Sequence, residues 1–430
     1  MLRHKGIHLL NRKQKIVFID FNFSWPPNGG ADIDTYNVLK LLSKRKYDIL
    51  FLGIAEEHSS DRGNFDPQRL PFPSLRISIP SQHWNINIIS KKVCSLIQDY
   101  KPSLIFLQHG YLIKIPISQN IMTLFPDIPI ISKAFAHELF CLRGPLRFKD
   151  DKHCPKSIFK TPDYCRQCSL DGLKKEILSG MYNTWTKDYI QSRSFSCSFA
   201  KSYLNIIKKW KKVIVSNKGL QTELLEQGID AVVIPGGIEK EYIVEQPTLQ
   251  NTPNQEKRIF MAGRCDEPSK GMRILYEAGN ILYQKRKDFK IYVTSFNLNL
   301  HNDWFLPLGW LPRDELFNIY RQSDICVVPS CWAEPFGITA LEGMAIGKTV
   351  IASRIGGLKE IITDNQNGLL FEPGNPLELS EKLNLLFDNP HIRITLGDNA
   401  RKFVLQNYTW DTIIDKYYIP LVEDLLSKEK

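Results

Sequence analysis

The sequence has no long apolar run. Nothing in its 430 residues approaches the stretch of about eighteen that a membrane-spanning helix needs, so no span is expected. The basic start, MLRHKGIHLLNRKQK, lacks the apolar stretch and cleavage site of a signal peptide, and a cytoplasmic home is the expectation. There is no low-complexity tract and no repeat at a fixed period. Nine cysteines, an odd number in so long a chain, argue against a disulfide scaffold. No G-x-G-x-x-G follows the first strand pattern, which counts against a dinucleotide site of the usual kind.

What is present is enough for two cores. A chain of this length is too long for one ordinary domain, and 43% hydrophobic with 24% charged residues is ordinary soluble composition. Lys and Arg outnumber Asp and Glu by 56 to 46, which favours anionic partners such as nucleotide phosphates or an anionic membrane surface. The basic residues form no stripe interleaved with aromatics, so a nucleic-acid partner is not expected.

The first half reads as one α/β unit. KIVFID (15–20) predicts a strand, FNFSWPPNGGAD a loop, TYNVLKLLSKRKYD a helix and ILFLGIA a second strand. Gly29 and Gly30 fall in that loop, which is either a plain turn or the floor of a cleft. Residues 57–82 read as an irregular excursion; a helix over 85–100 and strands over 104–108 and 128–135 follow. The last strand ends in AFAHELF, so His137 lies just past a strand end, where a structural and a functional histidine are equally at home. A helical region over 192–212 ends in KSYLNIIKKWKK: a solvated helix end, or a contact with an anionic membrane through Trp210 and its lysines. The polar segment 245–257 is the best linker.

A different chemistry marks the insertion over 141–168, CLRGPLRFKDDKHCPKSIFKTPDYCRQC. Cys141, Cys154, Cys165 and Cys168 lie in a polar segment with little to build a core from. Four thiolates there can close a tetrahedral, structural zinc site; the alternative is reduced thiols or one redox pair.

The second half holds the most informative stretch, Pro329–Gly357. A buried strand pattern, ICVV, precedes it, and helical spacing runs from Ile338 to Ile346. In open α/β sheets ligands bind beyond the carboxyl ends of strands, at a helix N-terminus. There the N–H groups of Phe336, Gly337 and Ile338 face an anion or a sugar hydroxyl, and Gly337 lets a ligand approach the backbone. Glu334 falls on the loop and Glu342 about two turns into the helix, so the two acids can grip different parts of one elongated ligand. Upstream, RIFMAGRCDEPSKG places Arg264 and Lys270 at the end of another strand, near another helix start, as a diphosphate requires.

Together EPFGITALE with VVPS before it and GLKEII after it, GR with KG following, the early glycine loop and IPGGIE resemble the retaining GT-B glycosyltransferases of family 4. The likeness is strongest over 258–412 and in the first strand and glycine loop. It implies an α/β fold of two Rossmann-like, doubly wound domains facing a cleft: an acceptor-side domain over 1–240, a nucleotide-sugar domain over 241–412, and a C-terminal helix, 413–430, packing back on the first. It also implies a nucleoside diphosphate sugar, UDP- or GDP-linked, as donor and a saccharide or lipid-linked saccharide as acceptor. Arg264 and Lys270 would hold the diphosphate, Glu342 the ribose, and Glu334 with the N–H groups of Phe336–Ile338 the donor sugar. Gly30 would approach from the first domain, and His137 would stand near the sugar as a catalytic group. No cofactor is needed where two cations meet the leaving group's charge. Gly343, Lys348-Thr349 and Thr294-Ser295-Phe296 depart from the family pattern, the last where base and ribose contacts are usual. The cysteine insertion resembles a subset found in surface polysaccharide assembly. A catalytically silent sugar-nucleotide-binding module is the competing reading.

Overall fold

The computed structural model describes residues 13–27, 29–57, 63–110, 112–144, 146–243, 256–296, 300 and 302–427. Its first strands are β1 (Lys15–Asp20), β2 (Asp48–Glu56), β3 (Ser74–Ile79), β4 (Leu104–Leu107) and β5 (Ile130–Lys133). A small hairpin, β6 (Phe148–Lys149) and β7 (Lys152–His153), precedes β8 (Lys212–Val215) and β9 (Ala231–Val233). The seven longer-range strands form a parallel sheet in the order β3-β2-β1-β4-β5-β8-β9. A second parallel sheet takes β10 (Lys257–Met261), β11 (Phe289–Val293), β12 (Phe305–Pro307), β13 (Ile325–Val328), β14 (Thr349–Ser353) and β15 (Leu369–Phe371) in the order β12-β11-β10-β13-β14-β15.

Both orders reverse direction beside their first strand, the doubly wound arrangement in which a crevice opens at the reversal. The strands are apolar on both faces because helices cover both. Along β1, Val17 and Ile19 enter one core layer while Ile16 and Phe18 enter the other. Along β13, Ile325 and Val327 part from Cys326 and Val328 in the same way.

The chain's end returns to the first lobe, as the resemblance implies. Ile238 N donates to Tyr408 O at 2.8 Å, and Trp410 N donates to Ile238 O at 3.2 Å, passing the chain across. Trp410, Ile413, Ile414, Tyr418, Val422 and Leu425 then join the first lobe's core layer with Phe18 and Phe106. Burying side chains of this size is worth about 1.5–3 kcal/mol each. Beneath them Lys133, buried at the end of β5, donates to Asp34 at 2.5 Å and to the Tyr418 hydroxyl at 2.9 Å.

Several expectations are corrected. The excursion over 57–82 contains β3, an edge strand that pairs with β2; its polar, alternating SLRISI is the pattern of a strand covered on one side only. The helix expected over 192–212 is confined to Phe199–Ile207, and Lys212 already opens β8. Trp210 is buried, with its indole N–H donating to Ser118 at 3.1 Å, so it is not the membrane contact considered for that run. Most of the linker, residues 245–255, lies outside the described residues, as does the basic start through residue 12.

Removing Asp34 leaves the buried Lys133 ammonium without its anion, and such losses cost about 3–5 kcal/mol. Asp34→Ala is expected to lower the urea midpoint by that order, whereas Tyr418→Phe, which deletes one hydrogen bond, costs about 1 kcal/mol. Equal midpoints for wild type and Asp34→Ala would show that the network does not pin the C-terminal helix.

Candidate functional site

The loops at the carboxyl ends of β1, β10 and β13 line one cleft of about 540 Å³ between the lobes. A cavity of similar volume, about 580 Å³, opens elsewhere, between Gln119–Ile130, Lys209 and Leu425, and gathers none of the candidate residues.

Two glycines shape the second lobe's side of the cleft. Gly271 has φ of 76°, and a Cβ there would stand 1.9 Å from the Pro329 carbonyl oxygen. Only glycine lets the loop after β10 lie this close to the end of β13. Lys270, one residue before, therefore reaches the acid loop: its Nζ donates to Glu334 Oε1 at 2.8 Å and stands 5.0 Å from the Trp332 ring. Ser330 Oγ donates to the same carboxylate oxygen at 2.7 Å. Gly337, with φ of 102°, precedes the helix Ile338–Ala345; a Cβ there would meet Leu358 at 2.5 Å. No side chain caps this helix, so the N–H groups of its first turn are left for a ligand.

Glu342 is buried in that helix and fully engaged. Arg313 Nη1 donates to its Oε1 at 3.0 Å and the Tyr320 hydroxyl to its Oε2 at 3.1 Å. Arg313 Nη2 in turn donates to Glu239 at 2.8 Å, and Asn37 from the first lobe donates to the other oxygen of Glu239 at 3.3 Å. The guanidinium rests 5.0 Å and 5.2 Å from the rings of Tyr242 and Phe317. Burial pushes the Glu342 carboxyl up, against the pull of Arg313. Burial disfavours the charge of Arg313, but Glu342 and Glu239 more than offset it and hold the guanidinium ionised.

The acid loop is held from the first lobe by alternate carbonyls. His153 N, on β7 of the cysteine insertion, donates to Cys331 O at 3.1 Å. His137 Nε2 donates to Ala333 O at 2.8 Å, and Asn217 Nδ2 donates to Pro335 O at 2.7 Å. A carbonyl only accepts, so His137 carries its proton on Nε2. Burial pushes His137 down to about 3, and the ring is neutral.

Gly30, Arg264, Lys270, Glu334, Ile338 and Glu342 all line the cleft. His137, Phe336 and Gly337 neighbour lining residues in the chain or by hydrogen bond without belonging to the lining; the Phe336 ring packs on Tyr408 with centroids 5.8 Å apart. The side chain of Arg264 is about half exposed and pairs with Glu267 at 3.0 Å. Arg313, Glu239 and Tyr320 were not among the expected residues. Their signal was faint: one cation opening a helix after Pro312, in a segment that reads as a connector. At Thr294-Ser295-Phe296, Ser295 Oγ and Phe296 N both donate to Asp266, which fixes that loop beside Arg264.

Cys141 is an electrostatic neighbour of Cys154, Cys165 and Cys168, and burial first, then those thiols, push it up to about 11. Among the described residues, however, no three His, Cys, Asp or Glu side chains are gathered closely enough to hold a metal ion. The geometry therefore brings the four thiols together without forming a ligand set.

With this geometry in view, the relatives can be placed. Residues 245–403 match the family model described as glycosyl transferases group 1. Over 216 residues the chain is 33% identical to an uncharacterized glycosyltransferase of Methanocaldococcus jannaschii, covering 47% of this chain and 57% of that protein. Over 220 residues it is 25% identical to the phosphatidyl-myo-inositol mannosyltransferase of Mycobacterium tuberculosis, covering 47% of this chain and 56% of that one. The chain thus spans little more than half the length of these curated relatives. In fold it is similar to sucrose-phosphate synthase of Thermosynechococcus elongatus, with a TM-score of 0.65, 18% identity and coverage of 96% and 100%. It is likewise similar to Anabaena HepE solved with UDP, with a TM-score of 0.66, 17% identity and coverage of 95% and 100%. The architecture is GT-B, and the sequence signature of the second lobe is that of glycosyl transferases group 1.

One test of the loop contact is pH. The native His137 takes a proton only near pH 3, whereas the unfolded one takes it near the ordinary 6.5, so the unfolded state binds more protons between those values. Stability owed to this residue is whole above about pH 6.5 and is lost as pH falls toward 3. The urea stability of wild type relative to His137→Gln should shrink from pH 7 to pH 5; a constant gap would mean that His137 is not held neutral against Ala333.

Proposed function

We propose that this chain transfers a glycosyl group from a nucleoside diphosphate sugar to an acceptor with retention of anomeric configuration. One observation carries the reading: the cations after β10 and the acids after β13 meet at the reversal point of the second sheet, facing Gly30 across the cleft. Transfer breaks a bond to a diphosphate while positive charge builds on the sugar. Arg264 and Lys270 supply positive charge for the leaving group in place of a metal ion. The first-turn N–H groups at Phe336–Ile338 receive its oxygens or the sugar's hydroxyls.

Glu334 serves the sugar. Lys270 pairs with it; a diphosphate that competes for Lys270 leaves Glu334 facing the developing charge. Glu342 serves the ribose, and Arg313 with Tyr320 orients it. His137 acts as a positioning residue, through Ala333, for the acid beside it. UDP is the favoured nucleotide, since HepE was solved with it, and a lipid-linked or other saccharide is the favoured acceptor, in keeping with the mannosyltransferase relative's name. A role in surface polysaccharide or glycolipid assembly, in the cytoplasm, accords with that acceptor; among the described residues no helix is long and apolar enough to cross a membrane.

The two acids should fail differently. Glu334→Gln is expected to lower kcat by about 10²-fold, because it acts on the transition state. Glu342→Gln should raise the KM for donor more than it lowers kcat, because the ribose does not change during reaction. Lys270→Ala should weaken nucleoside diphosphate binding by about 1.5–3 kcal/mol in calorimetry. Near-normal kcat in Glu334→Gln would overturn its role at the sugar, whereas donor binding with no turnover by the wild type would favour the silent binding module instead.

We further propose that Cys141, Cys154, Cys165 and Cys168 hold one structural zinc, supported by four thiols that are electrostatic neighbours within one polar insertion and that draw closer on binding the ion. Protein purified without added metal should contain one zinc per chain, with these thiols protected from a thiol reagent. Metal-free protein with four freely titrating thiols would end this assignment.

A further inference from the structure

The helix Pro162–Leu178 carries Cys165 and Cys168 in its first half and is joined by a turn to a second helix, Thr184–Gln191. Ten residues of helix separate Cys168 from Leu178, about 15 Å of axial rise. At the tip, Leu178 is 88% exposed, Tyr182 61%, Ile177 55% and Met181 51%. Four large apolar side chains within six residues form a patch, not the scattered exposure that is normal on a soluble surface.

The tip is an ordered turn. Gly180 takes φ of 72°, Met181 N donates to Glu176 O at 3.0 Å, and Asn183 Nδ2 ties the turn to the Glu176 carboxylate at 3.1 Å. Asn183 Oδ1 accepts from Thr186 N at 3.0 Å, starting the second helix. That helix is anchored below by Trp185, whose indole donates to Leu142 O at 2.8 Å, and by the Tyr189 hydroxyl with Ser169 at 2.8 Å. Lys174 and Lys175 are exposed on the turn of helix just before the tip. Lys187 stands 5.9 Å from the Tyr182 ring but its ammonium is committed to the buried Glu56 carboxylate, so Lys174 and Lys175 are the cations that face a lipid surface.

We infer that this tip is a docking element for an anionic lipid bilayer. A convex tip of Ile, Leu, Met and Tyr with lysines behind it inserts its apolar side chains below the headgroups while the ammonium groups meet the lipid phosphates. The chain's formal charge of +10 adds long-range attraction to the same surface. This places the membrane contact at residues 177–182, well away in sequence from the buried Trp210.

The test is co-sedimentation of the full chain with vesicles of phosphatidylglycerol and phosphatidylcholine, without substrates, so that its failure is distinct from failure of the transfer reading. Wild type should sediment with mixed vesicles, less so at high salt, and remain in solution with pure phosphatidylcholine. Leu178→Asp with Met181→Asp should reduce binding by about tenfold or more. Leu124→Asp, a charge added at an exposed leucine of another helix, should not. Unchanged circular dichroism of the tip variant would show that it folds. The inference is overturned if wild type stays in solution with anionic vesicles or if the tip variant binds as wild type does. It is also overturned if the tip instead drives a concentration-dependent dimer in sedimentation velocity that Leu178→Asp abolishes.

Discussion

The arrangement of the cleft depends on one set of hydrogen bonds: donors from the first lobe onto the carbonyls of Cys331, Ala333 and Pro335. The loop that bears Glu334 has little regular structure of its own, and its backbone acceptors need partners wherever it is buried. Two of those partners, His137 and Asn217, follow strands of the first sheet, and the third, His153, belongs to the cysteine insertion. Alternate carbonyls point toward the first lobe, which leaves the carboxylate of Glu334 to meet Ser330 and Lys270 within its own lobe. Separating the lobes would therefore release the loop as well as open the cleft, so binding in the cleft and ordering of the acid are linked.

Charge in the cleft follows a consistent rule. Each of these acids has a cationic partner: Glu334 has Lys270, and Glu342 and Glu239 share Arg313. An unpaired carboxylate at these depths would be too costly to keep ionised. A ligand that enters this cleft must therefore exchange partners with these pairs. Glu239 extends the network to Asn37 on the helix that Gly30 begins, joining Glu342 through Arg313 to the opposite wall.

Much of this was legible in the chain because the signals were local. Short β-branched runs such as KIVFID and ICVV can only be buried strands, and glycines at Gly271 and Gly337 mark backbone that no other residue can follow. The acids and cations of the second lobe fell at strand ends, where an α/β fold puts its crevice. What escaped was non-local. Arg313 acquires its role only when its helix packs beside Ile338–Ala345, and no spacing in the sequence pairs it with Glu239, 74 residues earlier. Trp210 resembled an interfacial anchor because its neighbours are lysines, yet the strand that follows pulls it into the core. His137 was placed at the correct strand end, but which of its sides met a partner depended on a loop 196 residues away.

The return of the C-terminal segment has a consequence for synthesis on the ribosome. Domains generally fold from the N-terminus as they emerge. Here the first lobe's core layer around Phe18, Phe51 and Phe106 also needs Trp410, Ile413, Tyr418 and Val422, all within the last twenty-one residues of the chain. Until those emerge, that layer is open to water and the Lys133 ammonium lacks the Tyr418 hydroxyl. The first lobe thus begins folding early but closes only after the second lobe's strands are complete. A ribosome that stops short of residue 410 would release a chain with the strands of its second lobe complete and an exposed apolar face on the first, a natural target for chaperones and proteases.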